Sequence, residues 1–455
     1  MTEPSAPDLR SARLAPAQYA AAFADAVPPL TRAQALVEAE RCLYCFDAPC
    51  TRACPTAIDV PSFIRRIADD NLRGAARTIL DANPLGGTCA RACPTEVLCE
   101  QVCVRNTEQG KPVEIGRLQR YALDAAMQRP VSTLFTRAAT TGRRIAVVGA
   151  GPAGLACAFA LARRGHEVVI HDARAAPGGL NEYGLAAYKM AGGFAQAEID
   201  WLLGIGGITL RCGWTLSSAA ELEALRAQHD AVFLGIGLGA THDLAIPGEQ
   251  LEGVIDAVEF IGRLRQSEDL GALPVGRRVL VIGGGMTAVD AAVQSKLLGA
   301  ETVTIVYRRG PEQMRASQRE QSLAQTTGVG IRHWLAPLEV LGEGGAVRAM
   351  RFARQRLAGA RLVPDGEELV LEADMVLKAI GQRLEERVLR EGGLTLRDGR
   401  IVVDAAGRTG VANLWAGGDC IAEGQDLTVE AVAHGLRAAH DIDRQLRGVR
   451  DARQR

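Results

Sequence analysis

Hydrophobic residues between positions 144 and 307 form two runs that repeat the same pattern. Residues 145–149 and 278–282 are short, largely β-branched runs that lead into glycines, and Ala-containing segments follow at residues 154–164 and 288–298. Short β-branched runs are typical of buried strands, and the longer segments after them are typical of helices. Further strands are predicted at residues 167–170 and 302–307. The pattern therefore predicts two strand–turn–helix–strand units.

Two other apolar segments predict how these units are joined. Residues 230–239 and 374–381 each read as a strand that ends in glycine, closes one unit and leads to the next domain. The second unit is then inserted into the first, whose last part runs from residue 386 to the C-terminus.

The first part of the chain follows a different pattern. Residues 30–135 predict short helices and turns, such as helices at 60–70 and 72–80 between groups of cysteines. The predicted fold is α/β with an all-α N-terminal domain and two Rossmann-like domains, the second inserted in the first. The predicted domains are a helical metal-binding domain (1–138), the first part of one Rossmann-like domain (139–272), the second such domain (273–385) and the last part of the first (386–455).

Composition narrows the possible partners and location. The 455 residues are 47% hydrophobic and 23% charged. Their net charge of −1 provides no positive electrostatic field that would attract nucleic acid or an anionic membrane. No segment reaches the roughly 20 apolar residues of a membrane span, and the N-terminus does not resemble a secretion signal. We therefore expect a cytoplasmic location. In a reducing compartment, eight cysteines between residues 42 and 103 favour metal ligation over disulfides.

The first glycine-rich turn predicts an FAD site. A Gly-x-Gly-x-x-Gly motif allows a pyrophosphate to approach the backbone at a helix N-terminus, and an acid about 20 residues later can accept hydrogen bonds from ribose hydroxyls. A plain glycine turn that packs a helix on a sheet would show fewer of these features together. The candidate residues are Gly149, Gly151, Ala153, Gly154, Asp172, Gly179 and Leu180.

The second turn predicts a nicotinamide dinucleotide site. It has the same pattern with alanine last, as Gly283, Gly285, Met286, Thr287 and Ala288. At the end of the next strand, Arg308 and Arg309 stand where an NAD site usually has an acid, and arginine there can pair with the 2′-phosphate of NADPH. The alternative is that both arginines lie along the adenine or face solvent, so NADH and NADPH both remain candidate donors.

A segment near the C-terminus is a candidate for the rest of the flavin site. Asp419 can bind ribityl hydroxyls, and the helix N-terminus predicted near Val429 can stabilise negative charge on a reduced flavin ring. Glycine and aspartate before a helix also serve as plain caps, so this segment depends on the first site for its interpretation. The candidate residues are Gly418, Asp419, Thr428 and Val429.

The clustered cysteines fall into two groups. Gaps of two to five residues let several thiolates converge, and eight candidate ligands suffice for two iron–sulfur clusters. Structural zinc on an interaction module is the alternative, although flavin and nicotinamide sites on one chain favour a one-electron outlet. The groups are Cys42, Cys45, Cys50, Cys54 and Cys89, Cys93, Cys99, Cys103.

These motifs together resemble a known family. Residues 42–50 (CLYCFDAPC), 83–86 (NPLG), 89–96 (CARACPTE), 115–120 (IGRLQR) and 179–184 (GLNEYG) are similar to glutamate synthase small subunits and to the N-terminal half of dihydropyrimidine dehydrogenase. Within that family the resemblance is to the NAD(P)H-oxidising subunits of bacterial dihydropyrimidine dehydrogenases, and it spans nearly the whole chain.

The resemblance implies a ligand set that spacing alone does not provide. It assigns one [4Fe-4S] cluster to Cys42, Cys45, Cys50 and Cys103, and a second to Cys54, Cys93, Cys99 and Gln119, which leaves Cys89 without a metal. Gln119 favours the dehydrogenase branch, because the glutamate synthase branch has glutamate there. Lys189 replaces an arginine that many relatives place beside the flavin.

The resemblance also implies a route for electrons. Hydride from the nicotinamide passes to FAD, and single electrons pass through two [4Fe-4S] clusters to an FMN-containing partner subunit that reduces uracil or thymine. The alternative within the family is a glutamate synthase small subunit that serves an amidotransferase partner.

Overall fold

The computed structural model describes residues 13–448. Its α-helices are α1 (Pro16–Ala22), α2 (Arg32–Glu40), α3 (Pro49–Ala53), α4 (Val60–Ala68), α5 (Leu72–Ala82), α6 (Gly86–Ala92), α7 (Arg105–Gln109), α8 (Ile115–Ala126), α9 (Pro152–Arg163), α10 (Leu180–Tyr183), α11 (Phe194–Leu203), α12 (Ala219–Gln228), α13 (Ala257–Arg265), α14 (Met286–Leu297), α15 (Gln318–Thr326), α16 (Arg387–Glu391) and α17 (Thr428–Leu446). None of the helices in this part of the chain combines the length and the apolar character that a membrane crossing needs.

The strands in the described part of the chain belong to five sheets. They are β1 (Arg144–Val148), β2 (Glu167–Asp172), β3 (Ile208–Cys212), β4 (Ala231–Leu234), β5 (Ala240–Thr241), β6 (Val254–Asp256), β7 (Arg278–Ile282), β8 (Thr302–Tyr307), β9 (Gly330–His333), β10 (Leu335–Glu343), β11 (Ala346–Ala358), β12 (Arg361–Glu372), β13 (Met375–Lys378), β14 (Gln382–Arg383), β15 (Leu396–Arg397), β16 (Arg400–Ile401) and β17 (Leu414–Ala416).

The chain divides into two compact units. Within the described residues, the small unit comprises residues 13–26, Tyr183–Ala191 and Thr241–Gln382. The large unit comprises Val27–Glu182, Gly192–Ala240 and residues 383–448. The domain boundaries given by the sequence pattern stay a prediction.

The large unit contains a five-stranded parallel sheet in the order β17-β4-β1-β2-β3. Its last strand in the chain, β17, pairs beside β4 although the whole sheet of the small unit lies between them in sequence. This pairing confirms the predicted insertion of the second Rossmann-like unit into the first. The buried faces of β1 and β2 pack against α9. The side chains of α9 are mostly Ala and Leu, and nearly all of them are buried.

The helical part of the large unit holds the clustered cysteines within and between short helices. Apolar side chains of α4, such as Phe63, Ile64 and Ile67, are fully buried and pack with α5 and α8. Side-chain caps mark the start of two of these helices: Asp59 accepts from the Ser62 amide at α4, and Asn71 accepts from the Gly74 amide at α5. Helices this short gain most of their stability from such packing, so the cysteine loops depend on this core for their positions.

The small unit contains a parallel sheet in the order β6-β13-β7-β8-β9 and a three-stranded antiparallel sheet, β10-β11-β12. The antiparallel sheet was not predicted from the sequence. Its inner side chains Val347, Met350 and Phe352 are buried against Leu280 and Ile282 of β7. It therefore covers one face of the parallel sheet, where a helix would otherwise lie.

Candidate functional site

The first glycine-rich turn has the backbone geometry that a pyrophosphate site needs. Gly149 has φ of +102°, and a Cβ there would lie 2.2 Å from the Gly235 carbonyl oxygen. A Cβ at Gly154 would lie 1.9 Å from the Gly149 oxygen. At Gly151, by contrast, the nearest atom to a built Cβ is 3.8 Å away, on Gly179. The outer glycines are thus required by the fold itself, whereas Gly151 borders open space in front of the N-terminus of α9.

Asp172 lies at the end of β2 and holds this turn in place. One carboxylate oxygen accepts a hydrogen bond from the Ala150 amide at 2.6 Å, and the other accepts from the Arg174 amide at 2.8 Å. Both bonds fix a carboxylate beside the glycine turn, as the ribose-binding prediction requires. The ribose contact itself stays a prediction.

The structure brings the three predicted flavin segments of the large unit together. A Cβ on Gly179 would lie 2.9 Å from the Gly151 Cα, and one on Gly418 would lie 3.1 Å from the Ala153 Cβ. Thr428 Oγ1 donates to Asn181 Oδ1 at 2.8 Å, which links the start of α17 to the segment after Gly179. Residues far apart in sequence therefore surround one cradle at the N-terminus of α9.

Two side chains shape the C-terminal wall of this cradle. His434 Nδ1 accepts from the Gly418 amide at 3.2 Å, and burial lowers the pKa of His434 to about 4, so the ring is neutral and can accept. Burial, with the negative charge of Asp426, raises the pKa of Asp419 to about 6. A carboxylate this desolvated is suited to accept hydrogen bonds from hydroxyl groups. The cradle fits FAD on these grounds.

The second glycine-rich turn, in the small unit, repeats the geometry. A Cβ on Gly283, which has φ of +146°, would lie 2.2 Å from the Ala379 oxygen, whereas no described atom lies within 4 Å of one on Gly285. Helix α14 begins at Met286 directly after this open position. Arg308 is exposed after β8, and Arg309 is half-buried. This arrangement fits a dinucleotide phosphate, and it leaves the donor preference a prediction.

Lys189 lies in the small unit within a buried ionic group. Its ammonium contacts Asp290 at 2.8 Å and Glu320 at 2.7 Å, while Tyr188 donates to Asp290 at 3.1 Å. Burial alone would lower the pKa of Lys189, but the two carboxylates raise it overall. The segment Tyr183–Ala191 is thus bound to α14 and α15. The predicted contact of Lys189 with the flavin stays a prediction.

Four of the cysteines line one cavity in the helical part of the large unit. Cys42, Cys45, Cys50 and Cys103 border it together with apolar side chains, among them Val60, Ile64, Val113 and Ile115. Burial, opposed by hydrogen bonding from the Thr51 backbone, raises the pKa of Cys50 to about 12. Among residues 13–448, no three His, Cys, Asp or Glu side chains converge on a single-ion site. Soft thiol donors around an apolar cavity fit the donor set of an iron–sulfur cluster.

The second set of cysteines, namely Cys54, Cys93 and Cys99 of the second predicted cluster, lies beside the first. The hydrogen bond with Cys89 and burial raise the pKa of Cys93, and the nearby Cys99 and Cys54 raise it further. Gln119 is buried on α8, and its Nε2 donates to the Gly86 oxygen of α6 at 2.7 Å. The structure therefore places Gln119 against the helix that carries Cys89 and ends directly before Cys93. The division of ligands between two clusters stays a prediction.

Glu198, a buried carboxylate on α11, was not predicted from the sequence. Its side chain is 1% exposed and accepts hydrogen bonds from the Gly87 amide at 2.7 Å and from the amide and hydroxyl of Thr88. The Arg91 guanidinium lies 3.4 Å over the Phe194 ring between the same helices. Glu198 thus ties the sheet part of the large unit to α6. A single glutamate in a helix carries no sequence signal for such a role.

Replacing Glu198 with Gln should change how stability depends on pH. Burial raises the pKa of Glu198 from 4.5 to about 7, so the folded protein keeps a proton that the unfolded chain releases in this range. Stability contributed by the protonated group is therefore lost as pH rises from about 4.5 to about 7. The neutral amide does not titrate, so the melting temperature of Glu198→Gln should match the wild type near pH 5 and exceed it at pH 8.

The expected size of this effect follows from the shift in the pKa of Glu198. The loss of stability of the wild type relative to Glu198→Gln over this pH range is on the order of 3 kcal/mol. It is measured as melting temperature against pH by differential scanning fluorimetry. Glu223→Gln, at a side chain that is 68% exposed, should show no such change. A constant gap between Glu198→Gln and wild type across pH 5 to 8 would contradict the interpretation.

Comparison with protein families gives two matches that follow the two parts of the architecture. Residues 19–131 match a family described as dihydropyrimidine dehydrogenase domain II, 4Fe-4S cluster. Residues 143–435, more than half of the chain, match the pyridine nucleotide-disulphide oxidoreductase family. The chain belongs to the pyridine nucleotide-disulphide oxidoreductase family. The helical domain of this oxidoreductase is a 4Fe-4S domain, which favours the iron–sulfur interpretation over zinc.

Two relatives of known function are similar to this oxidoreductase along nearly its whole length. It is 36% identical over 422 residues to the NAD-dependent dihydropyrimidine dehydrogenase subunit PreT of Escherichia coli K12, a match that covers 92% of this chain and 96% of that protein. It is 32% identical to the glutamate synthase [NADPH] small chain of the same organism, covering 92% and 93% of the two chains. The predicted resemblance to the glutamate synthase small-subunit-like family is confirmed.

Solved structures agree with the fold. FprA of Mycobacterium tuberculosis, in complex with NADPH, superposes with a TM-score of 0.56 at 20% identity and covers 67% of this chain and 85% of its own. Thioredoxin reductase of T. acidophilum gives a TM-score of 0.52 at 22% identity and covers 66% and 98%. These likenesses confirm the predicted pair of Rossmann-like domains.

These findings define the oxidoreductase at a general level. It is an electron-transferring NAD(P)H oxidoreductase that uses FAD and carries a 4Fe-4S domain. The predicted fold class, enzyme class and cofactor types are confirmed.

Proposed function

We propose that this chain is the electron-input subunit of a dihydropyrimidine dehydrogenase, which oxidises NAD(P)H and delivers electrons to an FMN-containing subunit that reduces uracil or thymine. The main support is the likeness to PreT along 92% of this chain and 96% of that protein. Gln119 adds to it, since it lies buried against α6 beside the second set of cysteines.

The residues that would hold the prosthetic groups follow from the site geometry. Cys42, Cys45, Cys50 and Cys103 would hold one [4Fe-4S] cluster, and Cys54, Cys93, Cys99 and Gln119 the other. FAD would lie in the cradle of the large unit, and NAD(P)H at the second glycine turn. When bound, FAD accepts electrons in pairs and can release them singly, and iron–sulfur clusters carry single electrons.

The chain itself supplies position and charge. The N-terminus of α9 would bind the pyrophosphate, with Asp172 holding the turn and Asp419 accepting from hydroxyl groups. The N-terminus of α17, at Thr428 and Val429, would stabilise negative charge near the flavin ring. No side chain of the cradle needs to act as acid or base in this scheme, because the redox chemistry belongs to the prosthetic groups.

An anaerobic reconstitution tests the proposal. The purified holoprotein is mixed with a candidate FMN-containing dihydropyrimidine dehydrogenase subunit, NADH or NADPH, and uracil, and dihydrouracil is measured. We expect dihydrouracil only when both subunits are present. Failure with uracil and thymine, together with NADPH-driven glutamate formation when a glutamate synthase large subunit is supplied, would favour the second candidate, to which the 32% identity also points.

The donor preference can be tested at the arginines after β8. Arg308 and Arg309 should contact the 2′-phosphate when NADPH binds, so replacing both with Gln should raise the KM for NADPH roughly ten-fold or more and leave NADH nearly unchanged. Steady-state kinetics with a dye acceptor provide the measurement, and Arg361→Gln on β12 is the control. A wild type that already prefers NADH, with equal effects of the substitution on both donors, would refute the 2′-phosphate contact.

Exposed apolar side chains around the cysteines indicate where electrons would leave. Phe46 is fully exposed within the first cysteine loop. Three further apolar side chains that are close in sequence to Cys42, Cys99 and Cys103 are also exposed, namely Leu43, Val97 and Val102. Phe46→Asp should slow NADH-driven reduction of the partner at least about ten-fold by weakening docking, with dye reduction unchanged. Leu357→Asp, at an exposed position on β11, is the matched control. Equal partner reduction by both variants would exclude this surface.

A further inference from the structure

A basic groove lies on the large unit at the opposite end of α9 from the flavin cradle. Two adjoining cavities, about 290 and 240 Å³ in volume, share Thr136 and Arg163 in their walls. Since α9 has 12 residues, its C-terminal Arg163 lies about 18 Å along the helix from the glycine turn. The groove is therefore separate from the FAD site, and none of the proposed cluster ligands lines it.

Arginines outnumber carboxylates in this groove. Among residues 13–448, its walls contain Arg73, Arg77, Arg163 and Arg164 but only one carboxylate, Asp81. Asp81 is shared, because it lies 3.6 Å from Arg77 and 3.0 Å from Arg163. Asp443, outside the walls, contacts Arg164 at 3.5 Å but is also shared with Arg447. The groove thus keeps a positive charge that its own ion pairs do not neutralise.

The arginines are held in defined positions. The Arg163 guanidinium lies 4.0 Å over the Phe135 ring while it pairs with Asp81. Arg73 donates to the Thr133 oxygen at 2.6 Å, and Arg164 donates to the Ala160 oxygen at 2.7 Å. A guanidinium has five N–H donors in a planar fork, so these bonds orient each group and leave donors for a ligand. Such preorganisation lowers the entropic cost of binding an anion.

The remaining wall residues indicate the type of ligand. Ser132, Thr133 and Thr136 contribute hydroxyl-bearing residues, and Leu80, Pro84 and Leu436 contribute apolar surface. Arginine forks match the geometry of phosphate oxygens. The two adjoining cavities together, although neither alone, reach the volume range of small-molecule sites. We propose that this groove binds a small phosphate-bearing molecule, either inorganic phosphate or a nucleoside monophosphate, through Arg73, Arg77 and Arg163.

The location gives binding a measurable consequence. Arg73 and Arg77 belong to α5 of the helical part, and Arg163 to α9 of the sheet part, so a bound phosphate links the two parts of the large unit. A ligand that binds only the folded protein raises its melting temperature. The proposal stands independently of the partner and substrate proposed above.

Titration calorimetry on the holoprotein tests the groove, with inorganic phosphate and AMP as separate probes. Saturating NAD⁺ is present throughout, so that the dinucleotide site is occupied. Arg73→Gln with Arg77→Gln should weaken binding at least about ten-fold. The matched control is Arg387→Gln with Arg390→Gln, which removes two exposed charges from α16 of the same unit and should bind like wild type. Arg163→Lys keeps the charge without the planar fork and should weaken binding by less.

The outcomes separate the possibilities. Tighter binding of AMP than of phosphate identifies a nucleotide as the ligand, whereas equal binding identifies the free anion. Either result supports the site. Absence of binding of both probes at about 5 mM, or equal weakening by the two double variants, would overturn it. Melting temperatures of all variants without ligand show whether each one is folded.

Discussion

The Cys50→Ala variant should lose about half of its iron and acid-labile sulfide and should no longer reduce the partner subunit. Cys50 borders the apolar cavity with Cys42, Cys45 and Cys103, and an alanine leaves that cavity with three thiols. Since burial raises the pKa of Cys50 to about 12, a free thiol there stays protonated, and iron binding is what would stabilise the thiolate. Iron and sulfide analysis after anaerobic purification provides the measurement.

The same variant separates the two halves of the electron path. NADH-dependent reduction of a dye that takes electrons from the flavin should stay within about two-fold of wild type, because the flavin cradle contains none of these cysteines. Cys157→Ala is the control: that thiol is fully buried in α9, away from the cysteine loops, so iron content should not change. Stoichiometric zinc without labile sulfide, or full iron content in Cys50→Ala, would contradict the ligand assignment.

The Gly151→Ala variant should fold but fail to retain FAD. A Cβ at Gly151 has no neighbour closer than 3.8 Å, so the protein accommodates it, but the methyl group would occupy the space that the pyrophosphate needs. Overlap of this kind costs on the order of 1–3 kcal/mol, so flavin content after gel filtration should fall roughly ten-fold or more. Absorbance of the eluted protein and its far-UV circular dichroism provide the two measurements.

Gly285→Ala is the natural counterpart in the small unit. Within the described residues, a Cβ there also meets open space, at the turn proposed for NAD(P)H. This variant should keep its FAD and raise the KM for the nicotinamide roughly ten-fold. If both variants lost FAD equally, or if neither did, the assignment of one turn to each dinucleotide would be wrong.

The sites that sequence reasoning located well are those whose chemistry is local. Each glycine turn is a contiguous motif, because a strand, a tight turn and a helix N-terminus follow one another along the chain. Gly149, Gly154 and Gly283 confirm this, since a Cβ at each would collide with backbone. The cysteines are also recognisable from spacing, although the assignment of Gln119 needed the family resemblance.

Other features have no local signal. The sheet β10-β11-β12 was not predicted, because its alternating strands show no motif that distinguishes a covering layer from a separate hairpin pair. Lys189 was predicted as a flavin contact only through the family resemblance, and that contact stays a prediction. Its ammonium lies between Asp290 and Glu320, which are more than 100 residues away. Only the folded chain shows these partners.

Order along the chain was enough to establish two nucleotide turns, a cysteine-rich helical domain and the insertion of one Rossmann-like unit in the other, because each depends on neighbouring residues and their periodicity. Folding alone decided that Gly151, Gly179, Gly418 and Thr428 share one cradle, and that Glu198 holds the start of α6 from 110 residues away. The physical reason is that burial and hydrogen-bond partners are set by packing between distant segments, which no local pattern records.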